Sequence, residues 1–224
     1  MSRLVAAIDG PAGSGKSSVS KQTARALGWG YLDTGAAYRA LTWATQNLKG
    51  FELEKLASKD LATDFDYAIS TNPDRFWVRV GDIDVTIVIR SKQVAEAVSA
   101  VAAIPQVRSY MRELTRALVD ECPQPGIVVE GRDITTVVLP DADVRMLLTA
   151  SEEVRLSRRS AEVGASQIAE VAKQVLHRDA ADSQVVEFIT PAAGVTLIDS
   201  TSLTFDQTVS AVLTVIETTV SKDL

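Results

Sequence analysis

A glycine-rich octapeptide near the start of the chain carries the clearest chemical signal. It matches the pattern G-x-x-x-x-G-K-S/T at every position: Gly10, Pro11, Ala12, Gly13, Ser14, Gly15, Lys16 and Ser17. Glycines let backbone N–H groups converge on phosphate oxygens, Lys16 can reach the β- and γ-phosphates, and the Ser17 hydroxyl can ligate Mg²⁺. This loop, extended to Ser18, predicts binding of a nucleoside triphosphate. The motif alone does not say what becomes of the γ-phosphate.

A second candidate is a cluster of arginines at helical spacing. The segment SEEVR at residues 151–155 begins with a helix cap and two acidic residues, and Arg155, Arg158 and Arg159 follow at i, i+3 and i+4. A basic face of this kind is usually solvated. Because small residues at 160–166 follow it and Arg178 lies on the next predicted helix, we interpret the segment as a mobile lid over bound phosphate.

The charge balance favours a small anion over a polymer. The chain has 224 residues, with 15 arginines, 8 lysines and a formal net charge of −6. A net acidic chain is poorly suited to long nucleic acids. Arginine, however, grips phosphate and carboxylate with two donors at once. We therefore expect the arginines to serve a local anion site and expect no nucleic acid polymer as a partner.

Other chemistries have little support in the composition. The single cysteine, Cys122, cannot form an intramolecular disulfide, and one histidine, His177, supports neither a zinc site nor a histidine-based nucleophile. No signal peptide or membrane-spanning stretch is recognisable. We expect a cytoplasmic protein with no membrane partner.

The elements that must position these residues alternate between strand and helix. Apolar runs at residues 3–8, 127–130, 144–149 and 195–198 predict buried strands. Helices are predicted after Pro105 and after the capping pair Thr204 and Gln207. This alternation predicts an α/β fold with a doubly wound parallel sheet flanked by helices.

One stretch breaks the alternation. Residues 65–70 and 76–80 read as strands around a turn at 72–74, with a short third strand near Val85. We expect a small antiparallel β subdomain inserted at about 63–102. The predicted division is a single unit with a core of 1–62, 103–150 and 190–224, this insert, and a lid at about 151–180.

Three segments after the loop resemble bacterial cytidylate kinases. They are YLDTGAAYR at 31–39, EGRDI at 130–134 and RDAADS at 178–183, in the order of that family. The resemblance covers nearly the whole chain, including the β insert, which the family uses to bind a monophosphate. It implies a magnesium-dependent transfer of the γ-phosphoryl group of ATP to CMP and dCMP by a monomeric enzyme.

The resemblance also assigns roles residue by residue. It implies that Arg39 and Arg132 hold the acceptor phosphate, and that Thr34 and Tyr38 line its pocket. It implies that Ser99, Arg108 and Asp133 recognise cytosine and that Asp182 contacts the ribose. It also implies that the lid arginines Arg155, Arg159 and Arg178 take part in catalysis. From the residues themselves, Asp33 caps the helix that carries Arg39, and Arg132 follows a predicted strand, so both arginines can point at one crevice. The alternative for each is a surface ion pair or a cap.

Two positions depart from the family pattern. Val185 stands where the family commonly has an arginine that contacts the acceptor phosphate, so we expect that grip to be weaker or completed by another residue. Thr135 replaces a glycine after GRDI, so the backbone approach at that turn is expected to differ.

Competing functions remain at this point. A P-loop kinase of another monophosphate, or of an alcohol with Asp33 as the base, would use the same loop. A non-catalytic nucleotide-binding module would bind ATP without releasing ADP when a monophosphate is added.

Overall fold

The computed structural model describes residues 3–163 and 190–221. They divide into two compact units, Met1–Tyr31 with Pro123–Leu224, and Leu32–Cys122. The predicted insert lies within the second unit, and the predicted boundaries of core, insert and lid remain predictions. No helix in the described ranges is both long and apolar enough to cross a membrane.

The described elements alternate as follows. The strands are β1 (Leu4–Asp9), β2 (Gly30–Asp33), β3 (Tyr67–Ile69), β4 (Val78–Val80), β5 (Ile83–Asp84), β6 (Gly126–Gly131), β7 (Val144–Thr149) and β8 (Thr196–Asp199). The α-helices are α1 (Lys16–Leu27), α2 (Thr34–Asn47), α3 (Leu61–Asp64), α4 (Lys92–Ala102), α5 (Pro105–Asp120), α6 (Glu152–Val163) and α7 (Phe205–Val220). Short 3₁₀ turns occupy Leu53–Ser58 and Val88–Arg90, and a π-helical turn occupies Ile134–Val138.

A five-stranded sheet carries the first unit, with strand order β2-β6-β1-β7-β8. β1 pairs in parallel with β6 and β7, and β7 pairs in parallel with β8. Ala6, Ala7 and Ile8 are fully buried, as expected for a strand covered on both faces. The predicted parallel α/β fold is confirmed. Its consequence for function is that β1 and β6 end side by side, at the sheet edge where α/β proteins bind ligands.

Local capping explains where the helices begin. The Asp33 carboxylate accepts a hydrogen bond from Ala36 N at 3.0 Å and caps α2. Thr204 and Gln207 form a reciprocal capping box at α7, and Pro105 occupies the first turn of α5. All three helix starts agree with the sequence-based expectations, because capping depends on residues only three or four positions apart.

The second unit contains the predicted antiparallel sheet, in the order β3-β4-β5. The observed strands are shorter than the predicted ones, and Val80 pairs with Tyr67 and Ile83. The ring of Phe65 stacks on Tyr67 at 5.5 Å and meets Phe51 and Tyr110 edge-on. Within the unit, this aromatic cluster joins Tyr67 on β3 to Tyr110 on α5 and to Phe51, which precedes the 3₁₀ turn at Leu53–Ser58.

Candidate active site

The glycine-rich loop lies between β1 and α1, in the strand–loop–helix context that its pattern requires. Gly13 and Gly15 adopt left-handed backbone conformations, with φ of 76° and 86°. A Cβ at Gly13 would lie 2.6 Å from the Arg155 carbonyl oxygen, and a Cβ at Gly10 would overlap the carbonyl of Leu148. Close backbone approach therefore requires glycine at positions 10 and 13. Lys16 opens α1, and its Nζ donates to Pro11 O at 3.3 Å.

Ser17 is joined to a buried carboxylate that the sequence did not single out. Its Oγ donates to Glu130 Oε1 at 2.6 Å, and the Tyr31 hydroxyl donates to the same oxygen at 3.2 Å. Glu130 is only 2% exposed and lies near the end of β6, beside β1. A hydroxyl that gives its proton to Glu130 keeps its oxygen lone pairs for a cation. An acidic residue near the end of a strand adjacent to β1 is the signal that could have identified Glu130.

Three arginines contact the loop through its carbonyl oxygens. Arg132 Nη1 donates to Gly10 O at 2.7 Å and Arg155 Nη1 donates to Ala12 O at 2.9 Å. Arg158 Nη1 donates to Ser14 O at 3.2 Å. The first unit thus brings Lys16 and the candidate residues Arg132 and Arg155 onto one loop. Arg158, read from sequence as a lid residue, contacts the loop backbone and the turn after β8.

The turn after Arg132 is fixed to the end of β1 by Asp9. Its carboxylate accepts from Ile134 N at 2.8 Å, and from Thr135 N at 2.8 Å and Thr135 Oγ1 at 2.7 Å. Burial raises the pKa of Asp9, although these three hydrogen bonds act to lower it. From sequence, a threonine in place of the family glycine at position 135 predicts a different path of the backbone at this turn. In the structure the Thr135 hydroxyl is a third hydrogen-bond donor to Asp9.

The second unit holds a separate group of candidate residues on and near α2. Asp33 Oδ2 accepts from Arg39 Nη2 at 2.7 Å and from Arg90 Nη2 at 3.4 Å. The Arg39 side chain is 12% exposed, and a Cβ at Gly35 would lie 2.8 Å from Arg39 Nη1. Gly35 therefore leaves the space that the guanidinium of Arg39 occupies. Arg90 was not a predicted site residue, and it shares the carboxylate that orients Arg39.

The remaining predicted residues are distributed over both units. Thr34 is buried and Tyr38 is half-buried on α2, while Ser99 on α4 and Arg108 in the first turn of α5 are half-buried. In the first unit, Ser18 is exposed on α1 and Asp133 precedes the π-helical turn. Arg159 lies on α6. Arg178, Asp182, Val185 and His177 lie outside the described residues.

Within the described ranges, no three histidine, cysteine, aspartate or glutamate side chains are grouped so that they could hold a metal ion by themselves. A cation at Ser17 would therefore take most of its ligands from phosphate oxygens and water, which is how Mg²⁺ is usually bound beside a nucleotide. The role of Ser17 as the protein ligand of Mg²⁺ stays a prediction.

Comparisons with known proteins identify a family that this chain resembles over most of its length. A family model described as "Cytidylate kinase" matches residues 6–218. The chain is 42% identical over 216 residues to a protein named cytidylate kinase from Streptomyces avermitilis, covering 96% of this chain and 93% of the relative. It is 43% identical over 221 residues to one from Rhodococcus opacus, with 96% and 95% covered.

A solved structure supports the fold alone. The crystal structure of an uncharacterized protein from Eubacterium ventriosum shares the fold with a TM-score of 0.51 at 10% sequence identity, covering 96% of this chain and 99% of that one.

Proposed function

Because the chain belongs to the cytidylate kinase family, we propose that it transfers the γ-phosphoryl group of ATP to CMP and dCMP, giving ADP and CDP or dCDP. The observation that carries this proposal is the phosphate loop between β1 and α1, with Lys16 at the start of the helix and arginines on its carbonyls. Such a loop presents N–H groups and the positive end of a helix to phosphate oxygens.

The reaction requires positioning and charge neutralisation more than proton transfer. The acceptor is a phosphate oxygen, which is already anionic at neutral pH, so no general base is needed. Lys16 would bind the β- and γ-phosphates, and lid arginines would stabilise the charge on the phosphoryl group as it moves. We propose Arg155, Arg159 and Arg178 for that role. Closure of the lid would exclude water and limit hydrolysis of ATP.

For the acceptor, we propose that Arg39 and Arg132 bind the phosphate of CMP. Arg39 is supported by its pairing with Asp33, which removes rotational freedom before the ligand arrives and leaves further donors on the guanidinium. Arg132 is supported by its hydrogen bond to the loop carbonyl of Gly10. Thr34 and Tyr38 would line this pocket beside Arg39.

Recognition of the nucleoside is proposed on three side chains from two helices and a turn. Ser99, Arg108 and Asp133 would contact the cytosine edge, which presents both a donor amine and ring acceptors. Asp182 would contact the ribose. A carboxylate beside an arginine supplies both an acceptor and donors, and an analogue without the matching groups would leave them unpaired.

The residues present fit a magnesium ion. The Ser17 hydroxyl donates to Glu130 Oε1, with 2.6 Å between the two oxygens. Its oxygen remains available as a ligand, and hard cations prefer oxygen ligands. Ser17 would hold Mg²⁺ directly and Glu130 would orient that hydroxyl. When bound, Mg²⁺ would supply positive charge that neutralises the phosphate oxygens of the nucleotide.

The alcohol-kinase alternative has less support. It needs a carboxylate that can accept a proton from a hydroxyl, and Asp33 is the candidate. In the structure Asp33 is 3% exposed and accepts from Arg39, Arg90 and Ala36 N. The oxygens of Asp33 are already engaged by two guanidinium groups and a backbone N–H, so they are poorly placed to take a proton from a substrate hydroxyl.

We further propose that the protein acts as a monomer in the cytoplasm. The single cysteine, Cys122, is buried, which is compatible with a reducing compartment. Light scattering on the purified protein tests the first point, because a dimer in solution would contradict it.

The proposed transfer is tested by measuring ADP release with ATP alone and with ATP plus CMP. We expect release to require CMP, and we expect Lys16→Ala to abolish it while circular dichroism shows an intact fold. ATP binding without ADP release on adding any monophosphate would indicate a binding module instead.

A further inference from the structure

Arg158 on α6 contacts both the phosphate loop and the turn after β8. Its Nη1 donates to Ser14 O at 3.2 Å and to Ser200 Oγ at 3.0 Å. Its Nη2 donates to Ser200 O at 2.8 Å and to Leu203 O at 3.5 Å. Ser200 is fully buried, and residues 200–203 form the turn between β8 and α7. One guanidinium group on α6 therefore ties the phosphate loop to the turn after the last strand.

Arg158 holds the peptide that joins Ser14 to Gly15 through its carbonyl oxygen. In a trans peptide the C=O of one residue and the N–H of the next point in opposite directions, so the Gly15 N–H points away from Arg158. In the same way, Arg155 holds Ala12 O, and the Gly13 N–H points away from Arg155. Both glycines have a positive φ, a conformation that glycine adopts without steric strain.

We propose that Arg158 is a positioning residue that aims the Gly15 N–H at the triphosphate by clamping the Ser14–Gly15 peptide to the turn at 200–203. This inference rests on the proposed binding of ATP by the loop. Arg158 acts through the backbone and does not touch the phosphate. Its planar fork reaches carbonyls of two segments at once, which a lysine, with a single ammonium, does not reproduce.

The test compares Arg158→Met, which removes all donors, with Arg158→Lys, which keeps the charge. We expect Arg158→Met to raise the Kd and KM for ATP about 10- to 100-fold, since a small misplacement in a preorganised site has effects of this size. The KM for CMP should stay within about twofold. Arg158→Lys should recover only part of the loss. Full recovery by lysine would show that charge alone matters and would overturn the proposal.

The amide signals of the loop glycines give a readout that a purely structural role would not move. In ¹⁵N-labelled protein, ATP should shift the Gly13 and Gly15 amides of the wild type. In Arg158→Met the ATP-induced shift of the Gly15 amide should be reduced or lost. The shift of the Gly13 amide should persist, because Arg155 still holds the Ala12–Gly13 peptide. Equal shifts of Gly15 in both proteins would overturn the proposal.

Two further comparisons keep the result interpretable. Arg25→Met removes an exposed arginine near the end of α1 and should leave both KM values unchanged. If Arg158→Met does not fold, Arg158→Lys and Arg158→Gln carry the test through the ATP Kd and the Gly15 shift. ATP binding is measured without CMP, so a wild type that binds ATP and shows no CMP-dependent ADP release would refute the proposed function while leaving Arg158 testable.

Discussion

Glu130→Gln isolates the carboxylate that meets Ser17, and it should separate magnesium use from folding. The substitution keeps the size of the side chain and one carbonyl oxygen, which can still accept hydrogen bonds from Ser17 and Tyr31. In the wild type these bonds are 2.6 Å and 3.2 Å long. Hydrogen bonds to a charged group contribute about 1.5–3 kcal/mol and neutral ones about 0.5–1.5 kcal/mol, so roughly 1 kcal/mol is lost for each bond. Removing a buried charge offsets part of that loss.

The expected change in Tm is therefore small. A loss of about 1 kcal/mol corresponds to roughly 2–4 °C for a chain of this size. Activity should change more, because partners behind a metal ligand typically affect metal affinity or activity about 10- to 100-fold. We expect the Mg²⁺ concentration for half-maximal rate to rise, or kcat to fall, within that range.

The assay is a titration of Mg²⁺ at fixed ATP and CMP, with initial rates of ADP release. Glu113→Gln is the matched control, because it makes the same charge change on the exposed face of α5 and should leave the titration unchanged. An unchanged magnesium dependence in folded Glu130→Gln would refute the role assigned to this carboxylate.

Two further predictions concern Arg39 and Asp9. In Gly35→Ala the new Cβ would lie 2.8 Å from Arg39 Nη1, so the guanidinium must shift; we expect the KM for CMP to rise about tenfold with the KM for ATP unchanged. In Asp9→Asn the titrating group is removed. Because the pKa of Asp9 is raised in the folded state, the wild type loses stability relative to this variant as the pH rises from about 4 through the folded pKa. Measured by thermal unfolding, Tm of the wild type minus Tm of Asp9→Asn should fall over that range and then level off.

Each of these has a clear contrary outcome. An unchanged KM for CMP in Gly35→Ala would show that the position of Arg39 does not matter for the acceptor. A Tm difference that rises with pH would show that the folded state favours the charged form of Asp9.

Features set by neighbouring residues could be predicted from the sequence, whereas features set by distant contacts could not. The phosphate loop and the caps at Asp33 and Thr204 each depend on a few adjacent positions, and all were found in the expected context. Glu130 meets Ser17 across 113 positions of sequence, so no local pattern shows their contact. The sequence shows Thr135 in place of the family glycine, but its partner Asp9 is 126 positions away.

Arg158 illustrates the same limit on a helix. The spacing of Arg158 relative to Arg155 and Arg159 indicates a shared helical face, and this arginine cluster predicts a lid over bound phosphate. The acceptors of Arg158, however, are carbonyls 144 and 42 positions away, in the loop and in the turn after β8. Helical periodicity predicts which residues share one face of α6. Only the packing of α6 in the fold shows that this face contacts the phosphate loop and the turn after β8.

The most direct test of the proposed function is the specificity of phosphoryl transfer among monophosphates. ADP release should be measured with ATP and Mg²⁺ against CMP, dCMP, UMP, AMP and GMP, each over a range of concentrations. We predict that kcat/KM is highest for CMP and dCMP and lower for the other three, because Arg108 and Asp133 are the residues proposed to contact the cytosine edge. Equal values for all five monophosphates, or no ADP release with any of them, would contradict the account.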